Sequence, residues 1–169
     1  MKIDLAKKIE AGADSSWALK KLNVALSLGI PFNKPHGVKI HKIEPRAIVT
    51  TIPYKRRNLN HIKGLHACGL ATVAEFCSGL TLLRFLDAQK YRLIMQKMDV
   101  EYHYQAKSDA FARFELSESV VKNNLLVPLE LEGKVFHTCE IPVHDKDGNL
   151  LCTAHTNWQI KEWGSVKTK

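Results

Sequence analysis

The sequence lacks the features that mark several protein classes. Its four cysteines, at positions 68, 77, 139 and 152 of 169 residues, form no CxxC pair, so neither a disulfide framework nor a thiol-redox motif is indicated. No apolar run approaches the roughly 18 residues that cross a bilayer, and no targeting segment is apparent. We therefore expect reduced thiols, a cytoplasmic location and no membrane partner.

Acidic residues are also scarce relative to basic ones. The chain has 25 lysines and arginines against 17 aspartates and glutamates, which gives a net charge of +8. A basic surface can attract nucleic acid, a membrane or a phosphate-bearing ligand. The basic residues are scattered apart from the cluster Lys55-Arg56-Arg57, and no nucleic-acid motif accompanies them. We expect no nucleic-acid partner.

No repeat, low-complexity segment or linker divides the chain, so residues 1–169 are predicted to form one domain. Residues 1–35 are predicted to hold one helix, capped by Ser15 and Ser16 and running to about Leu28, and its lead-in. Trp17, Leu22 and Leu26 can share one face of this helix. The core, 36–163, is predicted to contain strands at 37–45, 46–54, 91–105, 109–117, 134–145 and 150–163, whereas 118–131 is ambiguous.

The stretch NHIKGLHACGLATVAEFCSGLTLL, residues 60–83, contains one unexpected charge. A helix is predicted from about His66 to Phe85, and it is apolar or small nearly all round, which is typical of a buried helix. Glu75 is its only acid. Burial of a carboxylate raises its pKa and suits it to acid–base chemistry. The alternative is a position on the helix rim, or a salt bridge to Arg84 or Arg92.

The start of this helix offers a place for a carbonyl. Its first backbone N–H groups, including that of Ala67, lack partners within the helix and lie at the positive end of its dipole. Gly64 permits close approach of chain and ligand, and His66 either orients a substrate or caps the helix. Ala67 and Glu75 are roughly 12 Å apart along the axis. If both serve one reaction, Glu75 comes from a second copy, which predicts a homodimer and leaves open whether two dimers pair into a tetramer.

The spacing of Asn60, Gly64, His66 and Glu75 resembles that of the hotdog-fold thioesterase superfamily. In its phenylacetate-degradation branch, an Asn and a Gly precede His-Gly-Gly, and an acid follows nine residues after the His. The resemblance implies an α+β fold in which a curved antiparallel β-sheet wraps a long central helix, here with an extra N-terminal helix. It further implies hydrolysis of an acyl-CoA or acyl-carrier-protein thioester, with coenzyme A as part of the substrate and no other cofactor.

The resemblance also implies a role for each matched residue. Glu75 would activate water or attack the thioester, and the Ala67 amide would polarise its carbonyl. Asn60 would position the water or the carbonyl, and His66 would support that site. The sequence departs from the family in having His-Ala-Cys for His-Gly-Gly and Glu for Asp. Ala67 retains an N–H, but its methyl group narrows the approach.

Two other functions remain open on the same fold. His-Ala-Cys is compatible with a module that binds acyl-CoA without turnover. Hotdog dehydratases pair a His with an acid 14 residues later and have a Gly three after the His, a spacing that His61, Gly64 and Glu75 meet. Those enzymes also have prolines between the two, and none occurs from 61 to 75.

Residues beside the helix start are candidates for binding substrate. Besides Gly64 and His61, these include Cys68, which lies where a thiolate is favoured, although His66 does not face it across a two-residue spacing. His61, His66 and Cys68 fit no familiar zinc pattern, so no metal is expected. Arg56 and Arg57 are predicted to meet the phosphates of coenzyme A or of a carrier protein.

Overall fold

The computed structural model describes residues 4–165. Its helices are α1 (Leu5–Asp14), α2 (Ser16–Gly29), α3 (Asn33–His36), α4 (Ala67–Phe85), α5 (Glu118–Val120) and α6 (Val127–Glu132). Its strands are β1 (Lys39–Ile43), β2 (Ala47–Ile52), β3 (Tyr91–Tyr102), β4 (Ala110–Glu115), β5 (Lys134–Asp145) and β6 (Leu150–Glu162). A π-helical segment, Val121–Leu126, joins α5 to α6, and short 3-10 turns occupy Arg56–Asn58 and Trp163–Ser165.

The strands form a six-stranded sheet in the order β1-β2-β4-β5-β6-β3. Every neighbouring pair is antiparallel. The β5–β6 hairpin closes where the Asp145 carboxylate accepts the N–H groups of Asp147 and Asn149, and Gly148 takes a left-handed φ of 86°. Bulges after Met95 and Val143 interrupt the register and favour bending of the sheet. The α+β prediction and all six predicted strands are confirmed.

Helix α4 lies in the core, as its composition predicts. Leu70, Val73, Cys77 and Leu80 are each at most 3% exposed. Helix α4 is long and apolar enough to cross a membrane, which the sequence analysis did not expect, but 61% of that window is buried inside the protein. It is therefore the core helix of the fold.

The two glycines inside α4 permit close helix packing, as predicted. A Cβ at Gly69 would come within 2.9 Å of Ile52 Cδ1, and one at Gly79 within 3.3 Å of the Trp158 ring. Trp158 is fixed in place because its indole N–H lies 3.1 Å from Ser78 Oγ, which itself donates to the Glu75 carbonyl. This network anchors the backbone of α4 at Glu75.

The N-terminal region corrects the sequence analysis, because it contains three helices where one was predicted. Ser15 caps α2 as expected, accepting the Ala18 N–H, but α1 was not foreseen. Trp17 does not share a buried face, since it is 64% exposed with Lys21 Nζ 3.2 Å from its ring centroid. Asn23 fastens α2 to the sheet through two hydrogen bonds with the backbone of Ile40 in β1.

A second correction concerns the segment between β4 and β5. The ambiguous residues 118–131 are helical, so the last four strands do not follow one another directly. Ser117 caps the first turn by accepting the Val120 N–H, and Gly133, with a left-handed φ of 69°, ends α6. Leu125 and Leu129 are buried and attach this segment to the core.

Candidate functional site

The start of α4 is organised by His66. His66 is the N-cap residue, with φ −66° and ψ 138°, and its Nδ1 accepts the Cys68 N–H at 3.1 Å. Its own N–H donates to the Asn58 carbonyl at 2.8 Å. His66 therefore caps the helix, and because Nδ1 is the acceptor, the neutral ring bears its proton on Nε2.

Within residues 4–165, a side chain binds the backbone carbonyl of Ala67, whereas the N–H group of Ala67 has no partner. Its carbonyl accepts the Tyr102 hydroxyl at 3.0 Å. Its N–H has no hydrogen-bond acceptor within residues 4–165, whereas the next two amides are taken by His66. This N–H lies at the positive end of a 19-residue helix, where an incoming carbonyl oxygen is stabilised.

The loop before α4 is braced by Asn60 and Gly64. Asn60 Oδ1 accepts the N–H groups of Ile62 and Gly64, both at 3.0 Å, and the Asn60 N–H donates to the Gly64 carbonyl. A Cβ at Gly64 would meet Gln105 Cγ at 3.0 Å. Gly64 thus permits close packing against Gln105 of the same chain. The Asn60 carboxamide oxygen is used by hydrogen bonds within the loop.

A cavity of about 200 Å³ opens beside the start of α4. Its wall is largely apolar, and α3, the ends of β1 and β2, the 3-10 turn and α4 all contribute to it. Its lining residues are Phe32, His36, Val38, Ile52, Arg57, Asn58, Leu59, His66, Cys68, Gly69 and Thr72.

Two polar residues of this wall, His36 and Asn58, were not identified from the sequence. Asn58 is 3% exposed. Its Nδ2 donates to the carbonyls of His36 and Pro53, at 2.9 and 2.8 Å, and its Oδ1 lies 3.0 Å from His36 Nδ1. No short motif links the two residues, which are 22 positions apart, so only the fold brings them together.

Glu75 lies outside the cavity on a half-buried stripe of α4. The other members of this stripe are small or aliphatic: Ala71, Thr72, Gly79 and Leu83. Burial raises the pKa of the Glu75 carboxyl. Within residues 4–165 its carboxylate has no hydrogen bond or salt bridge, because Arg84 pairs with Glu10 and Arg92 does not contact it. The salt-bridge alternative for Glu75 does not apply within one protomer.

The predicted site residues fall into two groups. Arg57, His66 and Cys68 line the cavity. The remaining six do not: Arg56, Asn60, His61, Gly64, Ala67 and Glu75. Of these, Arg56, His61 and Ala67 are exposed, and Ala67 lies between two cavity residues, His66 and Cys68, in the sequence. The roles predicted for all nine stay predictions.

Metal ligation and thiol chemistry have little support in the described residues. Between residues 4 and 165, no group of three His, Cys, Asp or Glu side chains is arranged to hold a metal ion. All four cysteines are free, and only Cys68 is exposed. Burial raises the pKa of Cys77 and Cys139 to about 12 and that of Cys152 to about 11, so these three remain neutral thiols.

Comparison with known proteins identifies the family. Residues 19–160 match the family described as a domain of unknown function, DUF4442. No curated protein has significant similarity to the chain.

Solved structures share the fold. A Pseudomonas aeruginosa protein, PA5026, described as a "probable thioesterase", is 23% identical with a TM-score of 0.74, over 80% of this chain and 90% of that one. Thioesterase HI1161 of Haemophilus influenzae is 17% identical with a TM-score of 0.67, over 85% and 90%. A mutant of thioesterase PA1618 of P. aeruginosa is 15% identical with a TM-score of 0.68, over 85% and 94%. The chain belongs to the DUF4442 family and shares the hotdog fold with these solved structures.

Proposed function

We propose that the protein hydrolyses short acyl thioesters of coenzyme A or of an acyl carrier protein in the cytoplasm, with no other cofactor. The fold that it shares with solved thioesterases supports a thioesterase-like hydrolase. One observation supports the chemistry most strongly. Among residues 4–165, the half-buried Glu75 carboxylate has no partner, and it occurs on the same helix whose first N–H group, also without an acceptor in this range, lies beside a cavity.

The free N–H group of Ala67 is suited to polarise the thioester carbonyl. Such a donor stabilises the negative charge that develops on oxygen as the carbonyl carbon becomes tetrahedral. Tyr102 fixes the peptide on the other side of Ala67 by donating to its carbonyl. The amide is therefore preorganised and needs little rearrangement when substrate arrives.

Glu75 cannot reach the same carbonyl within one chain, because eight residues of helix separate it from Ala67 by roughly 12 Å. We propose that Glu75 acts in the site of a second copy. Within the described part of the chain, strand β3 pairs only with β6, so one edge of its twelve residues is free there, and Ile94, Met95 and Tyr102 are 36–48% exposed. A long edge strand with exposed apolar residues favours pairing with another chain.

The proposed dimer pairs the two β3 edges and packs the two α4 helices against each other in antiparallel orientation. The small side chains of Ala71 and Thr72 on the half-buried stripe around Glu75 permit this close approach. Each Glu75 would then lie near the start of the partner helix, and the dimer would contain two sites. Further association of dimers into a tetramer is compatible with this arrangement.

In the proposed reaction, the Glu75 carboxylate takes a proton from water while the water oxygen bonds to the carbonyl carbon. The carbon–sulfur bond then breaks, and the leaving thiolate receives a proton from the carboxyl group. The products are a carboxylic acid and the free thiol. Attack by Glu75 itself would instead form an anhydride, which water then hydrolyses.

The cavity indicates the size of the acyl group. Its volume of about 200 Å³ lies below the roughly 300–1,000 Å³ typical of pockets for drug-sized ligands, so we expect a short acyl chain. Arg57 lines the cavity and donates to the Pro35 carbonyl at 2.9 Å. We propose that Arg57 and the exposed Arg56 meet phosphates of the carrier. The dehydratase alternative gains no support, because His61 is exposed and outside the cavity.

A panel of acyl-CoA thioesters tests this proposal. We expect hydrolysis of short-chain members, and a loss of at least roughly 100-fold in kcat for Glu75→Ala, the scale of a general base. Tight binding without hydrolysis would instead favour an acyl-CoA-binding module. Hydration of an enoyl thioester would favour a dehydratase, and either outcome would overturn the proposal.

A further inference from the structure

The hydrogen bonds of Asn58 determine which nitrogen of His36 carries the proton. Both N–H bonds of the Asn58 carboxamide point at carbonyl oxygens, those of His36 and Pro53. The opposite assignment of the amide would place its oxygen against two other oxygens. Oδ1 therefore faces His36 Nδ1, and because Oδ1 only accepts, Nδ1 donates. The neutral His36 ring is left with its lone pair on Nε2.

This lone pair is accessible and unused. No donor within residues 4–165 reaches His36 Nε2. In the same range, Arg92 Nε is the only fully buried side-chain nitrogen or oxygen without a hydrogen-bond partner, so His36 Nε2 is not fully buried. His36 lines the cavity together with the apolar side chains of Val38, Ile52 and Leu59. The ring is also supported by Phe32, whose centroid lies 5.4 Å away.

The other polar side chains of the cavity wall either already form hydrogen bonds or offer N–H donors. Asn58 Oδ1 is occupied by His36, and Thr72 Oγ1 donates to the Cys68 carbonyl at 2.8 Å. His66 presents an N–H donor at Nε2, since its Nδ1 is occupied, and Arg57 can only donate. His36 Nε2 is thus a fixed acceptor in a cavity whose other nitrogen groups are donors.

Hydrogen bonds connect His36 to the start of α4, where the proposed reaction centre lies. Asn58, which holds His36 through its side chain, accepts the His66 N–H through its backbone carbonyl. His66 in turn caps the helix whose first amide is that of Ala67. His36 and His66 line the same cavity, so an acyl chain that extends from the Ala67 N–H into this cavity would share it with His36.

We propose that His36 selects short acyl thioesters with a hydroxyl group near the carbonyl, by accepting the hydroxyl hydrogen at Nε2. This inference rests on the proposed thioesterase function and specifies its substrate class. An acyl chain without the hydroxyl would leave His36 Nε2 desolvated against apolar carbon, which is unfavourable. Asn58 acts as a positioning residue, because it fixes the tautomer and the orientation of the ring.

The test compares 3-hydroxybutyryl-CoA with butyryl-CoA at pH 8. We expect the wild-type chain to have at least roughly tenfold higher kcat/KM for the hydroxylated substrate, the effect of about one hydrogen bond. His36→Phe keeps a planar ring without an acceptor, and we expect it to remove this preference by lowering kcat/KM for 3-hydroxybutyryl-CoA relative to butyryl-CoA. The matched control is His41→Phe, because His41 is an exposed residue of β1 that lies outside the cavity. This variant should keep the preference.

Three outcomes would overturn the inference. The wild type could hydrolyse both substrates equally, or His36→Phe could keep the preference. His36→Phe could also lower kcat/KM for both substrates by the same factor. That result would indicate that His36 contacts the coenzyme A part, which both substrates share. If no thioester is hydrolysed, the proposed function fails, and calorimetric binding of the same two ligands to wild type and His36→Phe still decides the selectivity.

Discussion

Glu75 is the residue on which the proposed chemistry depends. It is half-buried, its pKa is raised by burial, and no partner within residues 4–165 neutralises it. A side chain in this environment lowers stability when ionised. Raised carboxyl pKa values are a feature of sites that move protons near neutral pH. Its position is therefore better explained by function than by packing.

The pKa of Glu75 predicts how its replacement changes stability with pH. The folded state holds the proton more tightly than the unfolded chain, whose pKa is near 4.5. Stability is therefore lost as pH rises from this value through the raised pKa, and the loss persists above it. We expect Glu75→Gln to raise Tm at pH 8 and to leave it unchanged at pH 3.5, measured by thermal melts.

A matched control separates burial from charge in this experiment. Glu130 is exposed on α6, so Glu130→Gln should leave Tm nearly unchanged at both pH values. An equal or lower Tm for Glu75→Gln at pH 8 would show that the ionised carboxylate is not a destabilising group in the folded protein.

At the residue scale, the sequence could identify groups that lie close together along the chain. Glu75 was visible because it interrupts an apolar helix, and the Ala67 amide because it begins that helix. His36 and Asn58 could not be found, since they precede α4 and have no fixed spacing to it. The sequence pattern indicated Asn60 as a site residue and not Asn58, two positions earlier. Only the fold shows that Asn58 lines the cavity.

At the scale of elements, Gly79 determines how closely α4 approaches the sheet. We predict that Gly79→Ala lowers stability by about 1 kcal/mol, because overpacking typically costs about 1–3 kcal/mol while the gain in helix propensity is about 1 kcal/mol. Trp158 cannot move aside, since it is 5% exposed and hydrogen-bonded to Ser78. Urea unfolding measures the change.

Gly29, at the end of α2, is the control for this substitution. A Cβ at Gly29 would meet no atom within 4 Å, so Gly29→Ala should be neutral or slightly stabilising. If Gly79→Ala were as stable as the wild type, close packing against Trp158 would not explain the glycine.

The elements of the fold were predicted well where periodicity is strong. Alternation of apolar and polar residues revealed β1 and β5, β-branched residues revealed β2, and the turn around Gly148 revealed the last hairpin. Two helical regions were missed. Helix α1 has ten residues, a buried Ile9 and Asp4 as its N-cap, so its signals were present in the sequence. Residues 118–132 mix β-branched residues with Pro128 and include a π-helical segment. Tertiary packing of Leu125 and Leu129 determines the structure there.

At the scale of the whole molecule, the net charge of +8 favours ligands with phosphate groups. We predict that Arg56→Glu with Arg57→Glu raises KM for acyl-CoA several-fold at low salt, and that the effect shrinks at high salt as charges are screened. Steady-state kinetics at two ionic strengths measure this change.

The control for this double substitution reverses two exposed lysines elsewhere. Lys107 and Lys122 lie outside the cavity, so Lys107→Glu with Lys122→Glu makes the same change in net charge and should alter KM much less. An unchanged KM at low salt in the arginine variant would exclude this basic cluster as the phosphate site.

The central claim is that each site combines Ala67 of one protomer with Glu75 of another, and two single variants test the halves. Ala67 is the first residue of α4, where proline is well tolerated, and the extended backbone of His66 suits a following proline. Ala67→Pro therefore deletes the N–H while preserving the helix. We expect it to lower kcat by roughly 10²–10³-fold, with Tm nearly unchanged.

The most direct measurement mixes Ala67→Pro chains with Glu75→Gln chains by co-expression and assays thioester hydrolysis. If sites form between protomers, half of the dimers are mixed and each has one intact site, so activity should return to about a quarter of the wild-type value. Co-expression of Glu75→Gln with Glu75→Ala should restore none. Activity that stays at the level of the inactive parents would contradict a site shared between two chains.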